Sequence, residues 1–248
     1  MTFSHTEFLL LGLIFVWTGF VRTGLGFGGA ALGLPLLLLL GGSPVYWLPL
    51  IGIHLLFFAS LTLKKSLKKV DWNYLKKSLA WIILPALAGV FGLISLPDKL
   101  VIIFVYLITI FYGFIWSLGI KIASHRAWID KILLLLGGYV AGISLTGAPL
   151  IVAVFMRHIT KEKLRNTLFV LWFILVSLKM ATFVAFEVFI DWKLSLSLLP
   201  VAAIGHIIGL KLHQKIIQND ALFKRMTIST LIVSKNASNI VKDSRLYS

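Results

Sequence analysis

The sequence predicts an all-α polytopic membrane protein made of two inverted repeats, each a glycine-broken helical hairpin plus three transmembrane helices. Three observations carry that prediction. The 248 residues are 59% hydrophobic and 13% charged, with a mean hydropathy of +0.97, whereas a soluble domain is about 45–50% apolar and about 25% charged. The apolar residues gather into runs long enough to cross a bilayer, and short cationic loops separate those runs. Finally, an order of glycine, proline and acidic landmarks occurs twice along the chain.

Charge and cysteine usage narrow the class further. The net charge is +15, from 24 Lys+Arg against 9 Asp+Glu. Such a balance raises nucleic acid as a partner, but cations confined to loops between apolar runs are the pattern of a membrane protein. The expected surroundings are therefore a lipid bilayer and no nucleic acid. With no cysteine, disulfides and thiolate metal sites are excluded.

A spanning helix needs about 20 apolar residues at about 1.5 Å each. The opening Met1-Thr-Phe-Ser-His-Thr-Glu7 has neither the cationic start nor the small-residue cleavage site of a secretory signal, so the run from Phe8 is expected to belong to the fold. Residues 8–42 are apolar but broken at Gly24-Leu-Gly-Phe-Gly-Gly29 and Pro35. Continuous spans are expected at 45–63, 78–96 and 100–120. Residues 132–157 are again broken, at Gly142-Ile-Ser-Leu-Thr-Gly-Ala-Pro149, and spans follow at 164–189 and 194–212. A shorter apolar run, 222–234, ends the series. Proline removes a ladder hydrogen bond and glycine is entropically poor in a helix, so each broken stretch reads as two limbs meeting at an unwound turn. Backbone freed at membrane depth must face protein or a water-filled cavity.

Loop charge gives the sidedness, because cationic loops stay in the cytoplasm. Lys64, Lys65, Lys68, Lys69, Lys76 and Lys77 place 64–77 inside. Alternation then puts the Pro97–Lys99 turn outside and 121–131 inside, and a hairpin at 132–157 keeps Arg157, Lys161, Lys163 and Arg165 inside. The turn 190–193 falls outside and 211–225 inside, which leaves both termini external. The tail's Lys235, Lys242 and Arg245 run against the rule.

The repeat supports the same inversion. Pro35 precedes Pro85 by 50 residues and Pro149 precedes Pro200 by 51. Val70-Asp71-Trp72 and Ile190-Asp191-Trp192 stand before the second proline each time, and Pro85, Gly89, Gly92 match Pro200, Gly205, Gly209. The expected organisation is a first repeat over 8–120, a cytoplasmic linker over 121–131, a second repeat over 132–234 and a polar tail over 235–248. Three spans are an odd number and a hairpin adds none, so the second repeat enters from the opposite side. Inverted repeats with broken helices near the midplane are a recurring plan of secondary transporters, with the site at the repeat interface.

The string Gly24-Leu-Gly-Phe-Gly-Gly-Ala-Ala-Leu-Gly-Leu-Pro35 and the Leu-rich run to Gly41 resemble the first signature of the TauE/SafE sulfite exporter family. Gly142-Ile-Ser-Leu-Thr-Gly-Ala-Pro-Leu150 is similar to that family's Ser/Thr-Gly-Gly-Pro element, and Arg165-Asn-Thr-Leu-Phe169 to the start of the helix that follows it. Ala30 and Ala148 stand where the family often has glycine, and the final helix is short. The resemblance implies a permease of the bacterial cytoplasmic (inner) membrane that exports small anions, often sulfite or organosulfonates. It names a class and no single compound.

Transfer of an anion needs donors that replace its hydration, and backbone N–H groups at a half-helix N-terminus supply them without formal charge. Half-helices starting near Gly29–Ala30 and Gly147–Ala148 would aim such donors at a shared centre. Gly26, Gly28, Gly29, Ser144, Thr146 and Gly147 are the expected lining, although glycines also serve close helix packing. Arg22 and Lys179 are cations at membrane depth, where ionisable groups are functional candidates; a visiting anion is the natural partner of either, and snorkelling is the alternative for Lys179. His54 and His206 are candidates for proton coupling, against the commoner role of a hydrogen-bonded histidine at a helix interface. Asp71 and Asp191 fit helix capping and Trp72 and Trp192 interface anchoring.

Enzyme chemistry finds no support. Gly24-Leu-Gly-Phe-Gly-Gly29 matches G-x-G-x-x-G by accident, because its flanks are membrane helices and not a βαβ unit. Gly142-Ile-Ser-Leu-Thr146 misses the G-x-S-x-G elbow at its last position. The sequence calls for no cofactor and no metal. The expected function is secondary transport of a small anion by alternating access; the alternative is a membrane-embedded scaffold or accessory subunit, which the short last helix favours.

Overall fold

The computed structural model describes residues 3–25, 28–63, 67–118 and 126–218. Gly26, the run 222–234, the tail 235–248 and residues 121–125 of the linker lie outside the described residues. Ten α-helices occupy the described chain: α1 (His5–Leu25), α2 (Gly29–Leu39), α3 (Pro44–Leu63), α4 (Trp72–Ser95), α5 (Asp98–Ser117), α6 (Ala127–Ser144), α7 (Ala148–His158), α8 (Lys161–Ala185), α9 (Trp192–Ser197) and α10 (Leu199–Gln218). Among the described residues there is no strand. α1, α3, α4, α5, α6 and α8 contain segments long and apolar enough to cross a membrane. α2 and α7, with 11 residues each, reach only about 16 Å at about 1.5 Å per residue.

Helix starts follow local chemistry. The Asp71 and Asp191 carboxylates accept from the N–H groups of Tyr74 at 3.0 Å and Leu194 at 2.9 Å, so both are N-caps that satisfy amides with no intrahelical partner. Ser4 and Glu7 form a capping box at α1: the Ser4 N–H donates to Glu7 Oε2 at 2.8 Å and the Glu7 N–H to Ser4 Oγ at 3.3 Å. The expected span at 194–212 is split, because α9 yields to α10 at Leu198.

Each broken stretch folds back on itself. In the second, Arg157 and His158 at the end of α7 reach Asp130 in the first turn of α6, at 2.9 Å and 2.8 Å. The ends of the two limbs are thus held together at one side. In the first, a Cβ on Gly33 of α2 would collide with Thr18 of α1, and Trp47 Nε1 donates at 2.7 Å to the Gly41 carbonyl beyond α2.

Two parallel crossings dominate the packing. α1 lies along α10 and α4 along α6, and small residues bring both pairs to backbone contact, as membrane helices require where burial from water supplies no drive. A Cβ on Gly205 would overlap the Val16 carbonyl oxygen and one on Gly142 the Ala86 carbonyl oxygen. Gly138 sits as tightly against Ile82 O, and Gly19 against Ala202 O. α1, near the start of the chain, therefore pairs with α10 near its end, and α4 with α6.

α3 and α8 run antiparallel through the middle, with Gly52 against Val176 and Met180. At one end of this pair the Asp71 N–H donates to Thr167 Oγ1 at 3.0 Å. At the other the Tyr46 hydroxyl donates to Asp191 Oδ2 at 3.3 Å, and its ring stacks on Phe189 at 6.5 Å. The two capping aspartates thus mark opposite ends of the molecule. Lys68, Lys69, Lys76 and Lys77 are exposed at the Asp71 end. Around the rim, α5 leaves Leu100, Ile103, Leu107, Ile110 and Phe114 exposed, a spacing that presents one apolar face to acyl chains.

Candidate functional site

The first break brings a cation to the start of a half-helix. α1 ends at Leu25 and α2 begins at Gly29, after Gly28 turns the chain with φ 82°, a left-handed conformation that favours glycine. Arg22 lies in the last turn of α1, and an added Cβ on Gly29 would stand 2.8 Å from Arg22 Cβ and from the Thr18 carbonyl oxygen. The opening amides of α2 therefore begin directly beside the arginine.

A small enclosed cavity occupies this corner, lined by Arg22, Gly29, Thr18 and His54 with Phe15 and Ile51. Its volume is only about 10 Å³, the room of roughly one water molecule. Among the described residues no carboxylate lines it. Arg22 is 7% exposed and its Nη2 has no hydrogen-bond partner; the guanidinium carbon lies 4.7 Å from the centroid of the Phe58 ring. A cation–π contact returns only about 0.5–2 kcal/mol, less than the several kcal/mol that a buried charge costs after relaxation. The site is short of one negative charge.

His54 and His206 stand on either side of that corner. His54 Nε2 is 2.7 Å from the Ser195 carbonyl oxygen, which can only accept, so Nε2 carries a proton, and in the neutral ring Nδ1 presents a lone pair. That Nδ1 is buried without a partner, and the ring packs edge-on to Phe15 at 4.6 Å. His206 Nδ1 meets Thr23 Oγ1 at 2.6 Å, and its ring lies 4.7 Å from Phe58.

The second break is built differently. Ser144 ends α6, Leu145 takes φ 58°, and α7 starts at Ala148 with Pro149 in its first turn. Ser144 and Thr146 are fully buried and their hydroxyl oxygens are 2.6 Å apart. Ser144 Oγ also donates to Val140 O at 3.1 Å, so its single proton is committed and Thr146 must donate to Ser144. In this conformation neither hydroxyl has a spare donor, and an anion would have to displace Ser144 Oγ from Thr146 or the Val140 carbonyl from Ser144 to gain one. Gly147 is where a side chain would strike the Gly137 carbonyl oxygen, which seats α7 against α6.

Of the expected lining, Arg22, Gly29 and His54 share the cavity, and Gly28 turns the chain just before it. Ser144, Thr146 and Gly147 form a separate buried cluster at the second break. Lys179, 1% exposed on α8, leaves its Nζ without a hydrogen-bond partner but does not line the Arg22 cavity. A snorkelling lysine keeps its ammonium in water, and Lys179 does not.

Three contributors escape sequence reasoning. Phe58 walls the site beneath Arg22. Thr23 joins α1 to His206. Arg165, which sequence position places in a cytoplasmic loop, reaches inward and donates from Nη2 to the Thr23 carbonyl at 3.3 Å. The Ser/Thr and aromatic content of a span carries no depth signal by itself; only the spacing of Arg165 from the apolar start of α8 hints that it lies within the helix.

A family model described as Sulfite exporter TauE/SafE matches residues 11–235 of the chain. Comparisons with curated proteins and with solved structures return no significant match.

Proposed function

The chain belongs to the sulfite exporter TauE/SafE family, a family of membrane transporters and not enzymes, and from that premise we propose that it exports small anions such as sulfite or organosulfonates by alternating access. Arg22 carries the proposal: a buried guanidinium, short of a partner, beside the first amides of a half-helix and in a cavity without a carboxylate. An oxyanion supplies what that corner lacks, because guanidinium donors and helix-start amides both favour it.

In this reading Arg22 with Gly28 and Gly29 forms one side of the path, and Ser144, Thr146 and Gly147 the other. Lys179 supplies a further countercharge. His54, with a bare Nδ1 beside Arg22, and His206 couple proton movement to the anion. The cavity is too small for sulfite, which suits a closed conformation that must open to load. The exchange of partners between halves, α1 with α10 and α6 with α4, supports two inverted repeats that rock about the central α3–α8 pair. The loop charges suit a bacterial cytoplasmic membrane with the Asp71 end inside.

The test is flux into membrane vesicles under an imposed gradient of labelled sulfite or a labelled alkanesulfonate. Saturable movement that Arg22→Gln abolishes is the expected result. An absence of saturable flux for every small oxyanion tried would end the proposal.

A further inference from the structure

Arg165 lies in the second turn of α8, after Lys161 and Lys163 at the lysine-bearing end. Its Nη2 donates to the Thr23 carbonyl, its guanidinium stands 5.1 Å from the Phe169 ring centroid, and its buried Nε has no hydrogen-bond partner. Thr23 is the residue next to Arg22, and its hydroxyl meets His206. The Phe58 ring stands 4.7 Å from the Arg22 guanidinium carbon and 4.7 Å from the His206 ring. Two under-bonded arginines therefore meet the last turn of α1, Arg22 from within it and Arg165 through the Thr23 carbonyl, with His206 on the Thr23 hydroxyl.

We propose that Arg165 is a second anion contact, the station an oxyanion meets first from the lysine-bearing end before it passes the Phe58 ring to Arg22. The inference deepens the reading of the chain as an anion exporter and rests on it. Depth orders the stations: Arg165 is partly exposed and Arg22 is buried. Charge favours the order as well, because the exposed Lys163 attracts an anion toward Arg165 over roughly a Debye length, about 8 Å at physiological salt. A competing role is a cap on the last carbonyls of α1, where cations are favoured. Glutamine separates the two roles, since it keeps a donor for the Thr23 carbonyl and removes the charge.

Vesicles of both orientations, carrying the full chain and supplied with labelled sulfite, test the assignment. Inside-out vesicles present the cytoplasmic face and right-side-out vesicles the other. Loss of one charge-assisted hydrogen bond is worth about tenfold in affinity, so Arg165→Gln should raise the half-saturating sulfite concentration about tenfold in inside-out vesicles and less than about twofold in right-side-out ones. Arg165→Lys, which keeps the charge but not the fork, should give a smaller rise at the same face only. An equal effect at both faces, or none in either variant, overturns the assignment and leaves Arg165 a helix cap. If the wild-type chain moves no sulfite from either face, the exporter reading falls and the station falls with it.

Discussion

Thr23 Oγ1 and His206 Nδ1 meet at 2.6 Å between α1 and α10, one residue from the arginine that lines the cavity. The contact ties the last turn of α1 to α10, in a seam where Gly19 and Gly205 stand against backbone. A polar clasp at that position links the geometry of the first break to the packing of the bundle.

Thr23→Val keeps the shape and removes the hydroxyl, leaving the His206 ring nitrogen buried and unpaired. The expected cost is about 1–3 kcal/mol, read as a lower melting temperature in detergent. A melting temperature equal to wild type would mean that the 2.6 Å contact does not bear on stability.

The same seam offers a matched pair of glycine substitutions. An alanine at Gly205 would overlap the Val16 carbonyl oxygen, whereas at Gly12 the nearest atom to an added Cβ is Val201 Cγ1 at 3.7 Å. Gly205→Ala should destabilise by about 1–3 kcal/mol through overpacking. Gly12→Ala should be neutral or stabilising by up to about 1 kcal/mol, because alanine is the better helix former. Equal effects on thermal denaturation would refute the close crossing of α1 and α10.

Much of this architecture is legible in the chain. The breaks at Gly24–Gly29 and at Leu145–Gly147 follow from clustered glycine and a following proline, and the helices α2 and α7 start where that reading places them. Asp71 and Asp191 precede apolar runs, and both cap. Ser4-His-Thr-Glu7 carries the Ser-x-x-Glu capping signature in plain view, and reading the segment only for a signal peptide misses it. Arg165 and Asp130 are harder. Loop position makes each a solvated charge, but depth comes from tertiary packing: α8 brings Arg165 against Thr23, and the fold-back of α7 brings Arg157 and His158 onto Asp130. The partition of the site is not legible either, because helix period says which face a residue takes and not which cavity that face meets.

Sidedness is testable directly, since the chain has no cysteine. Single cysteines at Lys68, Asp98, Lys163 and Lys193 should react with a membrane-impermeant maleimide from the inside, outside, inside and outside, respectively. Lys68 and Lys163 belong to the Asp71 end of the central helix pair, Lys193 to the Asp191 end. Labelling of Lys163→Cys and Lys193→Cys from one face would contradict a membrane-spanning α8 and, with it, the proposed sidedness.

Arg22→Met separates stability from function more sharply than any other substitution. Methionine approximates the length and flexibility of the arginine stem, carries no charge and can pack against Phe58. A buried cation without a hydrogen-bonded counterion is a net liability to folding, and replacing such groups by apolar ones of similar volume is often neutral or stabilising by about 1–4 kcal/mol. If Arg22 is retained to hold an anion, Arg22→Met should melt at or above the wild-type temperature while sulfite flux is lost. Added sulfite should raise the melting temperature of the wild type and leave that of the variant unchanged, because a ligand stabilises only the form that binds it. A variant that is both less stable and still active would show that the guanidinium serves the fold, through a contact with Phe58 that outweighs its desolvation, and not the cargo.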